Sequence, residues 1–141
     1  LLYTNTSRVS AEIISKQVAN VQQERAQSVQ AMHQIKEGAF AMKEALLKGQ
    51  LDDVGTLLHT GWQHKKQMAE GVSNARIDHL YQTAMDAGAT GGKISGAGGG
   101  GYLMFYCPGN TRFQVIRALA GENVEVQRFN FTPQGLTTWR I

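Results

Sequence analysis

Eight of the sixteen glycines in this 141-residue chain fall between Gly88 and Gly101, and Gly98 to Gly101 are consecutive. Glycine loses more backbone freedom on folding than any other residue, so a run of it needs a reason. The usual reasons are positive φ angles, or a backbone lying against something with no side chain between. The apolar run Tyr102–Tyr106 follows at once and reads as a buried strand. Ile94 lies just before the glycines, so the local reading is strand, glycine loop, strand. Gly96, Gly98 and Gly101 formally satisfy G-x-G-x-x-G, but the dinucleotide fingerprint needs a helix opening straight after the glycines. Long and aromatic residues follow here instead. A P-loop is excluded, because no Lys-Ser or Lys-Thr follows the glycines. A loose hairpin or flexible linker is the bland alternative, and a linker rarely lies between two apolar strands of a compact domain. The favoured reading is a rigid concave loop whose N–H groups face an anion or a neighbouring loop.

The rest of the composition narrows the setting. A hydrophobic share of 42% and a charged share of 18% describe a globular chain with one real core. The net charge of +3 is scattered, and no dense Lys/Arg run marks a nucleic-acid site. The single cysteine, Cys107, makes no internal disulfide, which suits a reducing cytoplasm. No apolar stretch approaches membrane-spanning length, and neither membrane nor nucleic acid is expected as a partner. The chain opens Leu1-Leu2-Tyr3 without methionine and reads as a piece of a longer protein.

In order, Leu1–Thr4 reads as a short strand. Ser7 or Ser10 is positioned to cap a first helix carrying Ile13, Ile14, Val18 and Val21. Arg25–Lys48 reads as a long helix with Val29, Met32, Ile35, Ala39, Met42 and Leu46 on one face, stopped by Gly49. A third helix opens at Asp52-Asp53 and buries Val54, Leu57, Leu58, Trp62 and Ala69. Ser73 or Asn74 caps a fourth, whose face is Ile77, Leu80, Tyr81 and Ala84. After the glycine hairpin, Phe113, Val115, Ile116 and Leu119 mark a short helix. Val124–Phe131 reads as a strand with a bulge, and Leu136–Ile141 as a closing strand. The sum is about five strands with helices on one face, an α+β architecture.

Catalytic signals are sparse. His33, His59, His64 and His79 lack metal-ligand spacing and read as surface histidines. Cys107 reads as a buried, inert thiol. Ser95 has no partner base implied by spacing, and no residue is a convincing general base. Arg8, Lys65-Lys66 and Lys93 are the basic positions of interest. The two lysines at 65 and 66 are explained by a helix C-terminus, whereas Lys93 stands one strand-step from the glycine loop.

Lys93-Ile94-Ser95-Gly96-Ala97-Gly98-Gly99-Gly100-Gly101 closely resembles the third motif of the GHMP kinases, small-molecule kinases that include galactokinases, homoserine kinases and mevalonate kinases. Leu2-Tyr3-Thr4-Asn5-Thr6-Ser7-Arg8 resembles the Tyr-Thr-Gly-x-[Ser/Thr]-Arg segment of the branch holding heptose 7-phosphate kinases and fucokinases. Gly61-Trp62, Lys65-Lys66, Ser73-Asn74 and Ile77-Asp78 also look like the heptose kinase pattern. Asn5 departs from the branch glycine, but asparagine tolerates left-handed φ. The family's first motif, its phosphate loop and its catalytic acid are absent from these residues.

The resemblance therefore implies that residues 1–141 are a GHMP kinase C-terminal domain without its N-terminal, ATP-binding half. It implies a ferredoxin-like core, an antiparallel sheet covered by helices, plus an added helical segment. It implies an ATP- and Mg2+-dependent sugar kinase of the cytoplasm. The expected substrate is D-glycero-D-manno-heptose 7-phosphate, taken at its anomeric hydroxyl, with fucose or another small molecule as the alternative. Ser95, Gly96, Ala97, Gly98, Gly99, Gly100 and Gly101 would face the phosphate loop of the missing half, and Arg8 and Lys93 would bind substrate. No catalytic or metal-binding residue is assigned on this chain. Its own N-terminal domain is the expected partner, and a homo-oligomer is allowed. A ferredoxin-like effector-binding domain or interaction module shares the α+β pattern, but has no need of four adjacent glycines.

Overall fold

The computed structural model describes residues 1–6 and 10–139. Four strands, β1 (Leu2–Tyr3), β2 (Gly91–Ile94), β3 (Tyr102–Tyr106) and β4 (Glu125–Val126), form one sheet in the order β2-β3-β1-β4. Every pairing is antiparallel, with Ile94 and Leu2 both opposite Leu103 and with Leu2 opposite Val126. Four helices separate β1 from β2: α1 (Ser10–Gln22), α2 (Ala26–Leu47), α3 (Leu51–Lys66) and α4 (Ala75–Asp86). A fifth, α5 (Thr111–Ala118), separates β3 from β4. Taking the four helices as one insertion, the order is β-α-β-β-α-β, the ferredoxin-like arrangement.

The core lies where α4 meets the sheet. Ile77, Leu80 and Ala84 on α4 and Leu103 on β3 are each 0% exposed, so the predicted α4 stripe is the buried one. Asn74 caps this helix, its side-chain oxygen accepting the Ile77 N–H at 3.0 Å. The helix α3 lies flush on β2 because two glycines meet there. A Cβ on Gly91 would stand 1.8 Å from the Gly55 carbonyl oxygen, and one on Gly55 would stand 1.9 Å from Thr90 Oγ1. Neither position has room for a side chain, so backbone packs directly on backbone.

Three expectations need correction. The α2 face is rotated by one residue. Ser28, Ala31 and Ala45 are buried, with Ile35 and Met42 half-buried on the same seam, while Met32, Ala39 and Leu46 are exposed. This helix packs mainly on α3 and α1, and a helix–helix seam favours small residues that let axes approach. The strand expected over Val124–Phe131 contracts to Glu125–Val126, and residues 136–139 form no strand. Phe129, Phe131, Leu136 and Trp139 are exposed. Strand-forming residues make a strand only with a partner strand and a covering layer, and β4 is already the sheet edge. On α1, Ile13 is buried but Ile14 and Val18 are exposed. Ser10 stands inside α1, and Ser7, the other expected cap, lies outside the described residues, as do Arg140 and Ile141 of the expected closing strand.

Candidate functional site: the glycine loop and two lysines

The loop Ser95–Gly101 leaves β2, turns, and enters β3, with Ser95 N–H bonded to Tyr102 O at 2.8 Å. Gly96, Gly98, Gly99 and Gly101 have φ of +97°, +117°, +78° and +90°, a region that residues with a Cβ rarely enter. Positive φ is one reason for the glycines and close approach is the other. A Cβ on Gly98 would lie 2.6 Å from the Val72 carbonyl oxygen, and one on Gly100 would lie 2.7 Å from that of Thr6.

Hydrogen bonds fix the loop on both sides. Gly99 N–H donates to Val72 O at 2.8 Å, and Gly101 N–H donates to Thr6 O at 2.9 Å. Thr4 N–H and its Oγ1 both donate to Gly101 O at 2.9 Å. The segment leading to Arg8 is thereby laced to the glycine loop. Arg8 itself lies outside the described residues. Asn5 has φ +53°, the left-handed conformation that its position was expected to need.

The remaining loop donors are open. Among the described residues, the N–H groups of Gly96, Ala97, Gly98 and Gly100 meet no hydrogen-bond acceptor. Successive N–H groups without a partner in a positive-φ loop are the kind of arrangement that can accept an anion. Among the described residues no three His, Cys, Asp or Glu side chains gather. Asp78, on the α4 turn beside the loop, accepts from Ser73 Oγ at 2.8 Å and pairs with Lys66 at 3.7 Å.

Two lysines border the loop. Lys93 is half-buried on β2. Lys65, near the end of α3, donates from Nζ to Gln17 Oε1 at 2.9 Å, and Gln17 Nε2 donates to Ala97 O at 3.2 Å. A chain of contacts thus runs from α3 through α1 to the loop. Burial holds the Lys65 amine below the usual lysine range, and the charge of Lys93 lowers it further. From spacing, Lys65 belongs to the helix dipole alone. Gln17, some fifty residues away in sequence, carries no signal that could link the two.

The other candidates disperse. His59 Nδ1 and Tyr81 Oη are 2.9 Å apart, and Tyr81 O–H donates to Gly92 O at 3.3 Å. Since the hydroxyl proton goes to the carbonyl, His59 Nδ1–H is the donor in the other bond. Burial pushes the Tyr81 phenol up to about 12, against the lowering effect of Gly92 O. His59 is therefore tied into the α3–α4 packing and is not a plain surface histidine. His79 instead meets Glu122 at 2.8 Å. Cys107 is half-buried, its thiol pushed up by burial.

The profile described as GHMP kinases C terminal matches residues 42–125, more than half of the chain and the whole of the glycine loop. The chain belongs to this family. The match begins inside α2, at residue 42, and leaves α1 and residues 26–41 of α2 outside it. The chain is 38% identical over 141 residues to a D-glycero-alpha-D-manno-heptose 7-phosphate kinase of Campylobacter jejuni, covering 100% of this chain and 41% of that protein. A crystal structure described as a candidate sugar kinase from Campylobacter jejuni has a TM-score of 0.63 and 36% identity, over 99% of this chain and 38% of that one. The crystal structure of L. major mevalonate kinase with R-mevalonate shares the fold, with a TM-score of 0.78 and 24% identity over 86% of this chain and 37% of that one. The GHMP kinase domain described here thus spans about two-fifths of the length of such relatives.

Proposed function

We propose that residues 1–141 are the C-terminal domain of an ATP-dependent sugar kinase that phosphorylates the anomeric hydroxyl of D-glycero-D-manno-heptose 7-phosphate in the cytoplasm. The family match and the heptose phosphate kinase relative support this reading. The observation that carries it is the glycine loop. Its backbone is anchored at Val72 and Thr6, its other N–H groups are unbonded among the described residues, and half-buried lysines border it. Such a surface stabilises concentrated negative charge.

In this reading the N-terminal half holds ATP and Mg2+, and ATP supplies the phosphoryl group. Transfer of that group needs alignment and neutralisation of charge more than it needs covalent chemistry from the protein. Ser95–Gly101 contributes by lying close against the phosphate-binding loop of the other half, where side chains would collide. Lys93 contributes positive charge from β2. Arg8 holds substrate phosphate, since a guanidinium engages a dianion through two parallel bonds. The tie from Thr4 and Thr6 to Gly101 supports a place for this segment beside the loop. With nucleotide held elsewhere, the purified 141-residue domain alone transfers no phosphate. An ATP-turnover assay over a panel of sugar phosphates tests this, and turnover by the domain alone would sink the two-domain reading.

A further inference from the structure

Lys65 and Lys93 come close enough to act on one another, and among the described residues neither has a carboxylate partner. Lys66, the sequence neighbour of Lys65, does pair with a carboxylate, that of Asp78. Like charges brought together at a half-buried position repel, and their repulsion falls when a dianion stands between them. Lys65 is also aimed. Its amine is held by Gln17, and Gln17 is held by the carbonyl of Ala97 inside the glycine loop. An amine tethered to a neutral acceptor keeps two further N–H donors and its full charge. The unbonded N–H groups of Gly96, Ala97 and Gly98 lie on that same loop. Two depressions of the surface lie elsewhere, one between α1 and α2 and one between α2 and α3.

We propose that Lys65, positioned by Gln17 and paired with Lys93, is the cationic arm of a phosphoryl-binding site completed by the N–H groups of the glycine loop. This rests on the kinase reading for its choice of ligands, and deepens it by giving a ligand-binding role to Lys65, which a helix C-terminus alone had explained. The shared chemistry is a phosphate group, carried either by the sugar or by the nucleotide.

The test is calorimetric titration of the full-length protein with heptose 7-phosphate, unphosphorylated heptose and ATP separately. Lys65→Met is expected to weaken one phosphorylated ligand by about 30-fold or more, the scale for losing one partner of a desolvated charge pair. Lys65→Arg, which keeps the charge, is expected to stay within about fivefold of wild type. Loss confined to heptose 7-phosphate assigns the site to the sugar, and loss confined to ATP assigns it to the nucleotide. Unchanged affinity for both in a variant with wild-type melting temperature overturns the proposal. Equal weakening of unphosphorylated heptose also overturns it, since Lys65 would then be a structural tether. Should Lys65→Met fail to fold, Gln17→Met retains the charge but releases its aim, and is expected to weaken the same phosphorylated ligand; no change would overturn the proposal. Transfer plays no part in the readout, so a protein that binds phosphate at Lys65 but transfers none would sink the kinase reading alone.

Discussion

At Gly96 and Gly98 the backbone imposes the same demand, but the surroundings differ. Both have positive φ, yet a Cβ on Gly96 meets nothing within 4 Å, whereas one on Gly98 meets the Val72 carbonyl oxygen at 2.6 Å. Gly96→Ala should therefore cost only the left-handed strain, about 1–2 kcal/mol. Gly98→Ala adds a collision with backbone that cannot rotate away, and should cost about 1–3 kcal/mol more. Thermal melts of the full-length protein check this, and equal costs would mean that the loop moves freely off Val72. The need for glycine was legible from the run itself, because consecutive glycines cost too much backbone entropy to stand where ordinary side chains would serve. Which glycine does what was not, because Val72 and Thr6 lie far away in sequence. Asn5 was legible for the opposite reason, since its left-handed φ is a purely local property. Lys65 was legible as a basic position of the kinase-like pattern but not in its role, because a helix C-terminus already accounts for a lysine there.

Elements follow the same division. The helix α4 was legible down to its cap and its four buried apolar positions, since one face alone meets the core. The helix α2 was legible in extent but not in orientation, because it packs on helices through Ser28, Ala31 and Ala45, residues without a hydrophobic signature. The segment after β4 had strand-like composition but lacks a covering layer. One side-chain group ties this end of the fold to α4. Glu122, after α5, pairs with Arg76 and with His79, and hydrogen bonds from His79 and then Arg76 hold its carboxyl below the usual carboxylate range. The folded pKa is depressed, so the contribution of Glu122 is fully present above the ordinary value of 4.5 and is lost as pH falls through the folded value below it. Glu122→Gln should lower the melting temperature at pH 7, and the difference from wild type should shrink steadily below pH 4.5. A constant difference across that range would show that the ion pairs contribute nothing there.

Across the whole molecule, a ferredoxin-like sheet presents one hairpin loop, and α1 and α3 brace it. The contact from Lys65 through Gln17 to Ala97 links α3, α1 and the loop, so both helices help to set the geometry of the loop. Exposed apolar residues at Phe129, Phe131, Leu136 and Trp139 gather after β4, on a domain about two-fifths the length of its relatives. Steady-state kinetics of the full-length protein with ATP, with heptose 7-phosphate and fucose as competing acceptors, tests the proposed reaction. The expected kcat/KM for heptose 7-phosphate is higher by about 30-fold or more, the scale set by one buried charge pair to the phosphate. A higher kcat/KM for fucose would contradict the heptose phosphate assignment and the phosphate roles given to Arg8 and Lys93, and transfer to no sugar at all would contradict the kinase reading itself.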